Sequence, residues 1–258
     1  MKQPKKPAPT PTSWFLKTTC PIVPQGELSA TIHPGTASIN AEVWNRLAGG
    51  EGSHTPNPFS NHAFFLALEQ SGSAIAQTGW QPQHILLSQN ETPVALMPLF
   101  LKSHSQGEYV FDHAWADAFE RAGGNYYPKL QASIPFTPVT SQKMFVPSNR
   151  LDLKRALLET ARQLADQLNL SSVHATFVSK EEAQLAEQNG WLSRLDTQFH
   201  WKNRGFSRFD DFVQTLSSRK RKAIIRERKK VRESNITIEW LQGKDIAARH
   251  WDKFFEFY

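Results

Sequence analysis

The feature that most constrains this chain is one long amphipathic helix between two strand-like segments. Over residues 152–168 the apolar side chains recur at helical spacing and form one wide stripe: Leu153, Leu157, Leu158, Ala161, Leu164, Ala165 and Leu168. The segments 129–136 and 171–178 on either side are composed like strands. A helix with one apolar stripe must bury it, so we expect a sheet with helices packed on it.

The remaining periodic segments extend this strand–helix–strand unit in both directions. Before it, the sequence predicts a strand at 27–33, helices at 39–47 and 60–70, strands at 84–88 and 93–102, and a helix at 113–122. After it come a helix at 179–188 and a strand at 199–202. This order predicts an α/β fold with one mixed sheet of about six or seven strands, helices on both faces, and the strand 128–136 near its centre.

A second unit is predicted to begin after Gly205. It contains helices at 207–216 and 218–233, a strand at 235–241 and a helix at 245–258. We therefore expect an unstructured lead-in at 1–24, a first domain at 25–205 and a second unit at 206–258. The last predicted helix is rich in aromatic residues, so we also expect the second unit to be incomplete and the chain to be inactive as it stands.

Cysteine and hydropathy patterns exclude several classes of protein. Cys20 is the only cysteine, which excludes an internal disulfide and a multi-cysteine zinc site. The nine histidines show no metal-ligand spacing, so no metal is expected. There is no apolar run of 18 residues, and the basic N-terminus lacks a continuous apolar stretch, so we expect no membrane span and a cytoplasmic location.

Positive charge is concentrated in one predicted helix. Residues 219–233 contain nine Lys or Arg and two Glu, a net charge of +7, so the rest of the chain carries −1 of the total +6. Cations near a helix N-terminus oppose the helix dipole, and a bound anion would relieve the repulsion among them. The candidate anion-binding residues are Arg219, Lys220, Arg221, Arg226 and Arg228; the alternative is a solvated helix face.

The window 104–141 contains the densest set of chemically active residues. His104, Glu108 and Asp112 fall between an apolar strand and a predicted helix, which suits a general base for an amine substrate. The alternative is a turn followed by a helix cap. The candidate substrate-binding residues are Tyr109, Phe136, Thr137, Thr140 and Ser141 from this window, together with His62 and Glu69 from the second predicted helix. For the loop 137–141 and for His62 and Glu69, the alternative is ordinary loop and cap chemistry.

The predicted element order resembles the GNAT acyltransferase fold, and the second unit resembles the start of another copy. Tandem GNAT domains are the architecture of the Fem-type aminoacyl transferases, and the basic helix starting at Ser218 resembles their helix motif. Three stretches, 57–73, 101–140 and 198–228, more closely resemble a bacterial family of N-acyltransferases labelled peptidoglycan biosynthesis or recognition proteins.

The resemblance implies transfer of an acyl or aminoacyl group from acyl-CoA or aminoacyl-tRNA to an amine of an amino acid, peptide or cell-wall precursor. It implies these carriers as co-substrates rather than tightly bound cofactors, with tRNA as a partner. CoA-dependent GNAT enzymes hold the pyrophosphate with a glycine-rich loop, whereas residues 136–141 contain no glycine, which argues against CoA binding by that loop. The alternative function is a non-catalytic module that recognises RNA or an anionic ligand through the helix 218–233. The sequence does not predict the oligomeric state.

Overall fold

The structure is a computed structural model that describes residues 28–49, 57–110, 112–147 and 150–258, and the backbone of 12–14. It divides into two compact units, residues 1–195 and 196–258. The predicted lead-in at 1–24 lies mostly outside the described residues. Within it, Thr12–Trp14 forms a short strand.

Eight strands and eight helices are found in the described residues. The strands are β1 (Thr12–Trp14), β2 (Leu28–His33), β3 (Trp80–Pro82), β4 (His84–Gln89), β5 (Thr92–Met97), β6 (Phe100–Lys102), β7 (Lys129–Ala132) and β8 (Val173–Ala175). The helices are α1 (Ala41–Gly49), α2 (His62–Gln70), α3 (His113–Arg121), α4 (Leu151–Gln167), α5 (Lys180–Gln188), α6 (Phe209–Gln214), α7 (Ser218–Glu233) and α8 (Ala248–Phe257).

The first unit contains two four-stranded sheets, with strand orders β1-β2-β4-β5 and β3-β6-β7-β8. The prediction of one sheet is therefore wrong, and the cause is a break shared by two neighbouring strands. The predicted strand 93–102 stops at Met97 and resumes at Phe100, because Pro98 has no N–H to donate to a ladder. The neighbouring strand is interrupted at the same level, because Gln83 separates β3 from β4. The Gln83 N–H donates to Leu99 O over 2.8 Å.

The mixed character of the fold and the helices on both faces are confirmed. Strands β7 and β8 are parallel, and all the other described pairs are antiparallel. Helix α4 connects β7 to β8 and buries six of the seven predicted stripe residues against β4, β5, β7 and β8. The seventh, Leu168, follows the last residue of α4 and is exposed. A second core, centred on Trp44 and Phe65, packs α1 and α2 against the opposite side chains of β4 and β5.

The second unit is helical over all of its residues that form regular structure. The strands predicted at 199–202 and 235–241 are absent from 196–258. Alternation alone does not make a strand, because each strand needs a hydrogen-bonded partner. Ile236, Ile238 and Trp240 alternate as predicted, but their side chains are exposed.

Candidate functional site

Strand β7 carries a polar face within the protein interior. Side chains alternate along a strand, so Leu130 and Ala132 point to the core around α4, while Lys129 and Gln131 point to the other face. Both polar side chains are fully buried, and Ser133, two residues beyond Gln131, is almost fully buried. Buried polar side chains require partners, and for Lys129 the partners come from the segment 103–112 that connects β6 to α3.

The ammonium group of Lys129 is the centre of a buried ion cluster. Its Nζ donates to Asp112 Oδ2 over 2.8 Å, to Glu108 Oε2 over 2.9 Å and to Ser105 Oγ over 3.0 Å. Asp112 Oδ2 also accepts from Ser105 Oγ at 2.9 Å and from the Tyr126 hydroxyl at 2.8 Å. The Asp112 side chain therefore serves this cluster and does not cap α3, although Asp112 is the residue before its first turn.

The cluster changes the acidity of its two carboxyl groups in opposite directions. Burial alone would raise the pKa of Asp112, but the hydrogen bonds from Lys129, Ser105 and Tyr126 outweigh it and lower this pKa to about 2. Burial raises the pKa of Glu108, and the charges of Lys129 and Lys102 only partly oppose that rise. Of the two carboxyl groups, Glu108 therefore has the higher pKa.

Lys102 is a second buried ammonium group beside Glu108. Its Nζ lies 4.0 Å from Glu108 Oε1, donates to Gln106 O over 3.3 Å and sits 3.5 Å from the centre of the Trp80 ring. Burial lowers the pKa of Lys102 to about 7, with Glu108 opposing the shift and Lys129 reinforcing it. The charge of this lysine therefore changes close to neutral pH.

The predicted base His104 lies at the edge of the cluster. Its Nδ1 accepts from the Gln106 N–H over 3.2 Å. The ring packs on Gly79, where a Cβ atom would come within 2.3 Å of His104 Nε2. Burial and the charge of Lys102 lower the pKa of His104.

The predicted residues Tyr109 and Phe136 form an exposed aromatic rim next to the cluster. Tyr109 is 51% exposed and Phe136 is 40% exposed. Phe136 donates its N–H to Gly107 O over 3.0 Å, and its ring packs on Gly107 and lies 5.4 Å from the Trp80 ring. The structure thus brings the start of the loop 136–141 against the segment that carries Glu108.

The rest of that loop makes other contacts. Thr137 Oγ1 donates to Pro135 O over 3.1 Å, and the Thr140 side chain is exposed. Ser141 donates its N–H to Phe177 O over 3.0 Å and receives a hydrogen bond from the buried Lys143 Nζ, 2.9 Å from its Oγ. Burial lowers the pKa of Lys143 to about 8, although Glu182 opposes this shift.

His62 and Glu69 lie in a separate network that holds α2 to the segment after β2. Glu69 accepts from the Thr36 N–H and hydroxyl, and its Oε1 is 3.2 Å from His84 Nε2. His84 Nδ1 accepts from the Leu99 N–H over 3.1 Å, so Nε2 carries the proton and donates. His62 Nε2 faces the carbonyl oxygens of Thr36 and Ile39. No described contact connects either predicted residue with the Lys129 cluster.

The basic helix α7 has no buried side chain. Two of its predicted anion-binding residues already have partners within the second unit: Arg221 donates to Gln214, and Arg228 lies 4.4 Å from the Phe209 ring centre. At about 100° per residue, the predicted residues Arg219 and Arg226 share one side of the helix with three lysines. We call this set of Arg219, Lys222, Arg226, Lys229 and Lys230 the cationic stripe. All five side chains are exposed, whereas the predicted Lys220 lies on another face.

Two searches over the described parts of the chain gave negative results. No cluster of three His, Cys, Asp or Glu side chains suitable for a metal ion is present there. None of the described helices combines the length and apolar character needed to cross a membrane.

Comparison with known proteins identifies the family. The model of the FemAB-like family, described as peptidoglycan biosynthesis/recognition, matches residues 35–258, and the chain belongs to this family. A comparison with curated proteins found no match. Among solved structures, an aminoglycoside N-acetyltransferase AAC(6')-Iy in complex with CoA is similar, with 13% identity and a TM-score of 0.39 over 71% of this chain and 99% of that chain.

Several members of the cluster were missed by the sequence analysis: Lys102, Ser105, Tyr126 and Lys129. A signal for two of them was present. Lys102 and Lys129 are charged residues within apolar segments predicted to be strands, and a lysine in an interior strand is rarely buried without a partner. Two such lysines beside His104, Glu108 and Asp112 would have predicted an ion cluster.

Proposed function

We propose that this protein is an N-acyltransferase whose acceptor amine is deprotonated by Glu108. The observation that carries the proposal is the state of the Glu108 carboxyl group within a chain of the FemAB-like family. Oε2 is bound by Lys129, while Oε1 is buried and has no hydrogen-bond partner. Burial raises the pKa of Glu108, which suits a base that works near neutral pH.

The proposed reaction is direct transfer. The acceptor nitrogen attacks the acyl carbonyl carbon, a C–N bond forms, and the bond between the acyl carbon and its carrier breaks. Glu108 Oε1 takes the proton released by the nitrogen and passes it to the sulfur or oxygen of the departing carrier, which leaves as a thiol or an alcohol. The carrier is an acyl-CoA thioester or an aminoacyl-tRNA ester.

His104 supports the site rather than acting as its base, because Nδ1, the ring nitrogen that would take a proton, already accepts from the Gln106 N–H. For the developing oxyanion, the donors are backbone N–H groups of the loop 136–141. The N–H groups of Phe136 and Ser141 are bonded, and Pro138 has none, which leaves Thr137, Val139 and Thr140 among these described residues.

Access to Glu108 requires a movement of the segment 103–110. Glu108 is only 3% exposed, so the acceptor reaches Oε1 when this segment lifts from β7 next to the aromatic rim of Tyr109 and Phe136. Gly107 at φ +78° and Tyr109 at φ +55° place two left-handed residues within the segment.

The test is an acyl-transfer assay with purified protein. Acyl-CoA thioesters and aminoacyl-tRNAs are offered with a panel of primary amines, and amide products are detected by mass spectrometry. Because the Lys129 cluster lies entirely within the first unit, we expect turnover from this chain, contrary to the expectation of inactivity drawn from its terminal helix. Turnover should fall at least 100-fold in Glu108→Gln, the usual scale for loss of a general base. Glu187→Gln, a change at an exposed glutamate of α5, is the matched control and should retain full activity. Absence of product with every donor would overturn the proposal.

The second candidate function is recognition of a polyanion without catalysis. The cationic stripe favours it, because five exposed cations on one side of α7 would attract a phosphate backbone. Affinity for RNA should then fall steeply with salt, by roughly 0.7–0.9 log units per log unit of salt for each phosphate neutralised. Reversal of two stripe charges should abolish that binding while leaving any transfer to small amines unchanged. A flat salt response would remove this candidate.

A further inference from the structure

Four buried side-chain atoms lack hydrogen-bond partners in the described residues. These atoms are Glu108 Oε1, Asp112 Oδ1, Gln131 Oε1 and Ser133 Oγ. Two belong to β7 or the residue following it, and two belong to the segment that covers its polar face. Such atoms are costly to leave unpaired, so their lack of partners requires an explanation.

The chemical character of these atoms defines what would satisfy them. The two carboxylate oxygens and the amide oxygen only accept hydrogen bonds, and the Ser133 hydroxyl can accept as well as donate. Gln131 Nε2 donates to Thr176 Oγ1 over 3.0 Å, and if the amide were turned around, its nitrogen would be the unpaired atom instead. With the amide as placed, the missing partner is a group with several N–H or O–H donors.

The charges around these atoms limit the partner further. Glu108 and Asp112 are balanced by Lys102 and Lys129, and both carboxylates lie within 3 Å of Lys129 Nζ. An additional ammonium group would be repelled by Lys129, and a carboxylate would face the unpaired acceptor oxygens. An uncharged amide or hydroxyl group meets neither penalty.

We infer that the polar face of β7 is a subsite, formed by Gln131 and Ser133 beside Glu108, for an uncharged amide or hydroxyl group of the acceptor. This inference rests on the proposed transfer reaction, in which Glu108 receives the proton of the acceptor nitrogen. The donor group of the acceptor lies next to that nitrogen and points along β7. Gln131 and Ser133 therefore select the acceptor, and Glu108 reacts with it.

The experiment compares four small primary amines that differ in the second group: glycinamide, ethanolamine, propylamine and glycine. Binding is measured by calorimetry, and transfer is measured with the donor that supports turnover. Glycinamide or ethanolamine should bind roughly three- to tenfold more tightly than propylamine, the range of one or two neutral hydrogen bonds, and glycine should bind most weakly. Preference for glycinamide identifies an amide group, and preference for ethanolamine identifies a hydroxyl group.

Two variants test the assigned residues. Gln131→Met keeps the length of the side chain and removes the amide, and Ser133→Ala removes the hydroxyl; each should erase most of the preference over propylamine. Gln167→Met, at an exposed position near the end of α4, is the matched control and should preserve it. Circular dichroism and thermal melting verify the fold of each variant. If Gln131→Met does not fold, the amine preference of Ser133→Ala alone tests the subsite.

The outcomes separate this inference from the proposed function. Equal binding of the four amines, or a preference unchanged in both variants, overturns the subsite even where transfer is observed. That result would mean that water satisfies the unpaired atoms. A preference that is lost in the variants, without transfer from any donor, supports the subsite and overturns the catalytic role of Glu108.

Discussion

Lys129 Nζ on β7 lies 2.8 Å from Asp112 Oδ2 at the start of α3, and both side chains are completely removed from solvent. This contact connects a strand that belongs to the core of the sheet with the segment that covers its polar face. Glu108 shares the same ammonium group at 2.9 Å. One lysine therefore fixes the position of both carboxylates on which the proposed site depends.

Replacing this lysine should be strongly destabilising. Lys129→Met leaves two buried carboxylates without their main partner, and breaking a buried ion pair in this way costs about 3–5 kcal/mol. Chemical denaturation monitored by circular dichroism measures the loss. Arg162→Ala, which breaks an exposed pair with Glu159 on α4, is the control and should leave the unfolding midpoint unchanged. A midpoint for Lys129→Met equal to that of the control would show that water reaches the cluster.

The packing of Phe136 on Gly107 predicts a difference between two glycine substitutions. A Cβ atom at Gly107 would lie 2.6 Å from the Phe136 ring, whereas Gly123 has nothing within 4 Å. Both residues have positive φ, so left-handed backbone strain destabilises an alanine at either position by roughly 1–2 kcal/mol.

Gly107→Ala should therefore lower the melting temperature more than Gly123→Ala, and adding Phe136→Ala to Gly107→Ala should recover the difference attributable to the clash. If the two glycine variants have the same melting temperature, the Phe136 ring does not pack on Gly107 in solution.

The predictable part of the fold is the part controlled by local patterns. The bounds of α4 were predicted to within one residue at each end. An apolar period of about 3.6 residues can be recognised within the helical segment alone. The division into two sheets was not predicted, since it depends on Gln83 lying opposite Leu99, next to Pro98, across two strands. That pairing is a tertiary contact, and a single segment does not contain it.

The same distinction applies to the candidate site. His104, Glu108 and Asp112 were selected from one short window, and the structure places all three in or beside one cluster. Lys129 follows Asp112 by 17 residues and reaches Glu108 and Asp112 because β6 and β7 pair with Lys102 opposite Lys129. His62 and Glu69 were included because polar residues at a helix edge suit both binding and structural hydrogen bonds, and the described contacts are of the second kind.

Acid should destabilise the first unit in two steps. Burial, with a contribution from His84, lowers the pKa of His33 to about 4, and burial, with a contribution from Lys129, lowers that of His174 to about 4. Between pH 6.5 and 4 the unfolded chain binds these protons and the folded chain does not, so stability falls as the pH falls. Asp112, with a pKa of about 2 in the folded state, extends the loss from about pH 3.8 to pH 2.

The measurement is the free energy of unfolding across this pH range. Between pH 6.5 and 4, His174→Gln should reduce the slope of the free energy of unfolding against pH by on the order of 1 kcal/mol per pH unit. His200→Gln, at an exposed position, should leave that slope unchanged. Identical slopes in the two variants would show that His174 is hydrated and protonates normally.

Lys102 should set the pH dependence of the proposed transfer reaction. Its positive charge lowers the pKa of Glu108, so Lys102→Met raises that pKa further. A base works only when it is ionised, and the acid limb of the pH–rate profile should therefore move to higher pH in this variant. Lys180→Met, at an exposed position at the start of α5, provides the control profile. An acid limb that does not move, or that moves to lower pH, would contradict the assignment of Glu108 as the base.

The cationic stripe predicts that a charge reversal stabilises α7. Arg226 has Lys222 one turn before it and Lys229 and Lys230 one turn after it, all at the i±3 or i±4 positions where side chains meet on a helix surface. Each like-charge pair opposes the helix by about 0.2–0.5 kcal/mol, and Arg226→Glu converts all three pairs into attractive ones. The variant should therefore show a higher helical content by circular dichroism and a higher melting temperature at low salt.

Near 1 M salt, where the screening length is about 3 Å, the difference should largely vanish. Arg204→Glu, at an exposed arginine outside the helices, is the control and should gain much less. Lys229 already pairs with Glu233 at 3.6 Å, and a destabilised Arg226→Glu protein would show that the stripe has a further acidic partner. A stabilised variant that no longer binds RNA would show instead that these cations are retained for a ligand, against their own mutual repulsion.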